Sequence, residues 1–144
     1  MKVIYVAGPM RGLPQFNFPL FDAVSAALRA QGHQVISPAE QDSPAIRAAA
    51  LLSTTGVMTP EMERDESVGT ILGRDVRLVI DDATDIALLP GWQKSSGARL
   101  EVCVGLLNHK GFYVVHHTTN MSDDYTITAV HRENVRDAFL EAMQ

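Results

Sequence analysis

The sequence predicts an α/β fold built on one doubly wound, mostly parallel sheet with helices on both faces. Three observations carry that prediction: short apolar runs stopped by Gly or Pro, stretches of helical apolar spacing between them, and short connections linking the two in alternation. Val3 to Ala7 is a β-branched apolar run stopped by Gly8-Pro9, the pattern of a buried strand. After a loop, Pro19 suits a first helical turn, and Phe21, Val24, Ala27 and Leu28 recur at helical spacing over 20–30. Gly32 stands where a C-terminal cap is expected, and His33 to Ser37 reads as a second strand, which completes a βαβ unit with parallel strands. Residues 38–70 are less regular. Ser43-Pro44 opens a short helix through Leu52, while Ser53 to Gly56 and Thr59-Pro60-Glu61 read as turns. Helical spacing returns from Val68 to Ile80 and is broken by Asp81 to Asp85. Ile86 to Leu89 is a strand, Ala98 to Leu107 a helix, Gly111 to Val115 a strand and His131 to Met143 an amphipathic helix. The whole is Rossmann- or flavodoxin-like, one domain over residues 1–144.

Composition narrows the function classes. The chain has 144 residues, 46% of them apolar and 20% charged, which suits a globular domain burying roughly two-thirds of its unfolded surface. A net charge of −5 argues against a nucleic-acid polymer or an anionic membrane as partner, since both select basic surfaces. The single cysteine, Cys103, allows no disulfide framework and reads as a core residue. No apolar run reaches the length of a membrane span, and the first residues lack a signal-peptide core, so the expected location is the cytoplasm.

In an open parallel sheet, ligands sit outside the carboxyl ends of the strands. Two loops there are chemically loaded. After the first strand come Gly8, Arg11 and Gly12: glycines allow close backbone approach, and arginine forks onto phosphate or carboxylate. After Ile86–Leu89, the stretch Pro90 to Gly97 leads into a helix whose first N–H groups suit an anion, with Ser95 and Ser96 adding hydroxyls. Glu101 falls one turn further on. The plainer alternative makes Ser95 an N-cap and Glu101 a solvated side chain. Asp75 lies on the preceding helix, and paired carboxylates are the usual equipment for breaking a glycosidic bond. Tyr5, near its strand end, points its hydroxyl to the cleft or packs in the core. Phe16, Asn17 and Trp92 are candidates for contact with a base. His116-His117 is a poor metal pair, because adjacent residues on a strand point in opposite directions.

Together, Ile4 to Gly12 with Phe16-Asn17-Phe18-Pro19, Arg74-Asp75, and Leu88 to Trp92 followed by Ser95, Gly97 and Glu101 resemble a small family of phage and bacterial proteins of unassigned function. That family is similar to the nucleoside 2-deoxyribosyltransferases and the 2′-deoxynucleoside 5′-monophosphate N-hydrolases. The resemblance spans residues 1–40 and 72–107, with Pro9 where those enzymes usually carry serine.

The resemblance implies Glu101 as a nucleophile at the anomeric carbon and Asp75 as a second carboxylate aiding departure of the base or positioning the ribose. It implies Tyr5 as the group orienting the nucleophile, and Gly8, Arg11, Gly12, Ser95 and Gly97 as the cradle of phosphate and ribose. It also implies a homodimer and no cofactor or metal. Hydrolysis of a nucleoside monophosphate is the first expectation. Base exchange by a transferase is the alternative, as is a non-catalytic nucleotide-binding module on the same fold. Phosphoribohydrolases acting on adenosine monophosphate derivatives use a similar loop, but Trp92 stands where they carry a second glycine.

Overall fold

In the computed structural model, which describes residues 2–118 and 125–144, five strands form one sheet. β1 (Val3–Ala7), β2 (Gln34–Ile36), β3 (Asp85–Leu88) and β4 (Gly111–His117) are parallel, and β5 (Tyr125–Ala129) runs antiparallel to β4. The order is β2-β1-β3-β4-β5, so the chain leaves β1 on one side for β2 and returns on its other side for β3. That reversal makes a switch point between β1 and β3, where the two following loops part and leave a crevice. The predicted fold class is the one observed.

Strand alternation sorts the core into two layers. Ile4, Val6, Ala87 and Val115 pack with α1 (Phe18–Ala30) and α2 (Pro44–Leu52), through Phe18, Phe21, Val24, Leu28, Ile46 and Ala50. Tyr5, Ala7, Ile86, Leu88 and Phe112 face the opposite layer of α4 (Val68–Asp81), α5 (Ser96–Leu107) and α6 (Arg132–Ala142). No helix among the described residues is long and apolar enough to cross a membrane.

Two elements differ from the sequence expectation. Thr59-Pro60-Glu61 is no simple turn but the start of α3 (Pro60–Asp65): the Thr59 hydroxyl accepts the Met62 N–H at 3.2 Å, Pro60 occupies the first turn, and Met62 is buried against the core. β5 was not anticipated, although Tyr125 and Ile127 pack inward while Thr126 and Thr128 are exposed, an alternation of period two. Cys103 is half-buried rather than part of either core layer.

Gly8 closes β1 tightly against β3. A Cβ there would stand 2.6 Å from Leu89 Cβ, a separation real side chains do not reach, and Leu89 is itself fully buried. Gly8→Ala therefore forces the two strand ends apart and is expected to cost about 1–3 kcal/mol by chemical denaturation. A stability equal to wild type would show that the junction yields without strain.

Candidate active site

A cleft of about 190 Å³ opens at the carboxyl ends of β1 and β3. It exceeds the roughly 150 Å³ of an apolar cavity that takes a benzene ring. Its floor is acidic, with Asp42, Asp75 and Glu101; its wall is apolar, with Met10, Phe16, Phe18, Met58 and Met62 among others; and Arg11 and Lys94 line it as exposed cations.

Glu101 owes its place to α5. The buried positions of that helix are Ala98, Glu101, Val102 and Gly105, so an acid stands within the inward apolar stripe and is only 5% exposed. Tyr5 reaches it from β1: the Tyr5 hydroxyl donates to Glu101 Oε2. Tyr5 itself is fully buried and acts on the cleft through that bond. Asp75 shares the buried face of α4 with Val79, one turn later, and Ser67 starts the helix by accepting the Thr70 N–H at 3.1 Å. Arg74, beside it, donates to Asp75 Oδ1 from Nη2 at 2.8 Å and from Nε at 2.9 Å.

Burial dominates the electrostatics. It pushes the Glu101 carboxyl up to about 8; the Tyr5 hydrogen bond pulls the other way, and the charge of Asp75 adds to the rise. Burial also takes Asp75 up to about 6, against the pull of Arg74. Tyr5 is held well above the ordinary phenol range, first by burial and then by the charge of Glu101. The two carboxyls therefore titrate as a pair that holds about one proton between them at neutral pH.

The loop after β3 forms a cationic and N–H-lined shoulder. Gly91, at φ +84°, lets the chain turn into a single 3-10 turn, Trp92–Lys94, which carries Lys94 to the cleft. Ser95 is the N-cap of α5, accepting the Ala98 N–H at 3.2 Å, and also lines the cleft beside Ser96 and Gly97. Among the described residues the Ser96 and Gly97 N–H groups have no protein acceptor, which leaves them for an anion.

Of the candidates from the sequence, Glu101, Asp75, Gly8, Arg11, Ser95, Gly97 and Phe16 line one cleft. Four others do not: Tyr5 reaches it only through Glu101, and Trp92, Asn17 and Gly12 serve the fold. Trp92 is buried in the core layer shared with Tyr5 and Phe112, because the 3-10 turn folds its ring inward. The Asn17 side-chain amide donates to the Pro9 carbonyl at 2.9 Å and so ties the first loop to itself. Gly12, at φ +82°, serves a turn whose N–H donates to the Gly56 carbonyl at 2.9 Å. Asp85, at the opposite end of β3, accepts from the Thr84 hydroxyl at 2.7 Å and is a structural acid. His116 and His117 are both exposed, and the His117 ring meets Tyr125 edge-on.

Asp42, Lys94 and the methionine wall were missed. Asp42, Met58 and Met62 come from residues 38–70, where no strand or helix period led to a strand end, whereas Met10 and Lys94 lie in the two loops already singled out and no motif there set them apart from their neighbours.

A family described as a domain of unknown function (DUF4406) matches residues 2–115, and the chain belongs to it. The match includes the segment 38–70 that forms much of the cleft wall. No curated protein matches the chain.

The raised carboxyl of Glu101 has a stability consequence. Its folded-state value lies above that of an exposed glutamate, so the fold favours the protonated form; that advantage is whole below about 4.5 and is lost as pH rises through about 8. Glu101→Gln keeps an acceptor for Tyr5 and has no charge to bury. Its melting temperature is expected to exceed that of wild type by a margin that is small near pH 4.5 and on the order of 5 °C near pH 8.5. Melting curves at the two pH values check this, and an equal margin at both would refute it.

Proposed function

We propose that the chain cleaves the N-glycosidic bond of a nucleoside or deoxynucleoside 5′-monophosphate, releasing free base and sugar phosphate. The observation that carries the reading is a pair of buried carboxyls, Glu101 and Asp75, in one cleft whose shoulder offers Arg11, Lys94 and the open N–H groups of α5 to an anion. The family resemblance of Tyr5 to Gly12 and Ser95 to Glu101 supports the same reading.

In this mechanism the singly protonated pair reacts through its minor form: the proton rests mainly on Glu101, which holds it more tightly, and the reactive form has passed it to Asp75. Ionised Glu101 attacks the anomeric carbon as the bond to the base nitrogen breaks, and Asp75 gives its proton to the departing base. The developing oxocarbenium charge lies among carboxylates in a site shielded from water, where they act strongly. The Tyr5 hydroxyl holds the attacking oxygen pair in place and stabilises its charge. Water, giving a proton back to Asp75, then hydrolyses the glycosyl ester and frees Glu101. If a second base takes the sugar instead, the enzyme is a transferase up to the same intermediate. The 5′-phosphate rests on Arg11, Lys94, Ser95 and the first turn of α5, and the base lies against Met10, Phe16, Met58 and Met62. No metal takes part in these steps, and EDTA is expected to leave the rate unchanged. The resemblance adds a homodimer to the proposal, and the single cysteine of the chain fits a reducing, cytoplasmic setting.

The experiment is a release assay on purified protein with ribo- and deoxyribonucleoside monophosphates and nucleosides, free base being read by chromatography. Base release that falls at least about 10³-fold in Glu101→Gln and about 10²-fold or more in Asp75→Asn is the expected result. Nucleotide binding without release in wild type would make the chain a binding module instead.

The pH dependence has a definite sign. Below about 6 both carboxyls are protonated and there is no nucleophile; above about 8 both are ionised and no proton remains for the base. A bell-shaped kcat/KM profile with limbs near those two values is expected, the limbs belonging to the pair. A rate that climbs steadily past pH 9 would remove Asp75 from the proton transfer.

A further inference from the structure

The cleft holds more acid than the proposed chemistry uses. Asp42 lines it together with Asp75, and the two side chains are 9% and 7% exposed. Both depend on Arg74: its Nη2 donates to Asp42 Oδ1 at 3.0 Å and to Asp75 Oδ1 at 2.8 Å, which places those two oxygens within about 6 Å of each other. Glu66 Oε2 stands 3.7 Å from Nη1 of the same guanidinium, too far for a hydrogen bond. Arg47 is a further cation acting on Asp42. Counting Glu101, four carboxyl groups gather about the single guanidinium of Arg74.

A second buried carboxylate on the same arginine adds its own desolvation cost, which one shared charge repays only in part. Burial accordingly raises Asp42, with Arg74 only partly offsetting it. Among the described residues Arg74 is the only hydrogen-bond partner of either aspartate, and in each it engages Oδ1. Oδ2 of each aspartate therefore has no protein donor among the described residues, while Nη1 of Arg74 is itself buried without an acceptor. The chain nevertheless fixes Asp42 there: it follows the 3-10 turn Pro38–Glu40 after β2, and the adjacent Ser43 N–H donates to Glu66 Oε1 at 2.9 Å, joining the two ends of the α2–α3 segment. Fixed acceptors left without donors in a cleft are matched by a ligand that brings neutral donors, and hydroxyl groups are the donors of a sugar.

We propose that Asp42 is a substrate-binding residue whose carboxylate accepts a hydrogen bond from a sugar hydroxyl of the ligand, with Arg74 as the positioning residue that holds it beside Asp75. The inference deepens the reading of the cleft as a sugar-phosphate site and rests on it. It assigns choice of sugar to the segment 38–70, whereas attack and anion binding come from the loops after β1 and β3.

The test is calorimetric titration of ribose 5-phosphate and its 2-deoxy and 3-deoxy counterparts into wild type and Asp42→Asn, with melting curves for both proteins. Asp42→Asn is expected to bind ribose 5-phosphate about tenfold more weakly. It is expected to bind the one deoxy ligand that lacks the contacted hydroxyl as wild type does, and to melt no lower than wild type. Equal loss on all three ligands, no loss on any, or a variant that melts several degrees lower with unchanged affinity overturns the proposal. Asp42→Ser takes the place of the amide if that variant does not fold, under the same criteria. Nucleotide cleavage by a protein whose Asp42 variant is indifferent to the hydroxyls defeats this inference alone. Selective sugar-phosphate binding without cleavage of any nucleotide defeats only the proposed reaction. If none of the three sugar phosphates binds wild type, the inference falls.

Discussion

The carboxyl group of Glu101, buried in the inward stripe of α5 and held by the Tyr5 hydroxyl, is the costly interaction around which the cleft is arranged. A hydrocarbon side chain would pack as well between Ala98 and Val102 and would carry no desolvation penalty. The fold keeps the acid because three supports converge on it. β1 brings Tyr5 to the correct face by strand alternation, α4 places the Arg74 charge nearby, and the N-cap at Ser95 sets where α5 begins. Such concentrated cost is characteristic of sites rather than of scaffolds, since a structure optimised for stability alone would replace it.

Burial and charge act together here. Glu101 and Asp75 lie at different depths and have different partners: Tyr5 offers one a neutral hydrogen bond, and Arg74 offers the other a full positive charge. Their proton affinities are separated by that difference, which is how two chemically similar acids come to hold a single proton between them. The sheet supplies the geometry. At the switch point between β1 and β3 the two loops diverge, so groups from both reach one crevice without competing for the same backbone space.

The segment between β2 and α4 gives the cleft its second wall. Ile46 and Ala50 of α2 and Met62 of α3 are core residues and cleft-lining residues at once. Closing the core and shaping the pocket are thus one packing event. Backbone bonds from Gly12 to Gly56 and from Gln15 to Ser53 attach this wall to the loop after β1, so the apolar side of the cleft is braced from two directions. Methionines at 10, 58 and 62 make it an adaptable surface, since an unbranched thioether fits several ring shapes.

The sequence by itself determined the βαβ core, because apolar periodicity and Gly or Pro punctuation are local properties that the sheet then obeys. It also placed Arg11, Ser95 and Gly97 at strand ends, since loop position follows from element order, whereas the pairing of Asp75 and Glu101, on the helices before and after β3, came from the family resemblance. Only the tertiary structure decided where Trp92 and Asn17 go. Each sits in a loop whose chain direction depends on a few backbone angles, and there the ring turned into the core and the amide turned back to Pro9. Only the tertiary structure brought Asp42 to Arg74, across 32 positions of sequence, and made Met62 both core and wall. Long-range contacts of this kind leave no period in a sequence. They arise when a segment of weak local pattern is pressed against a surface that the rest of the chain has already formed.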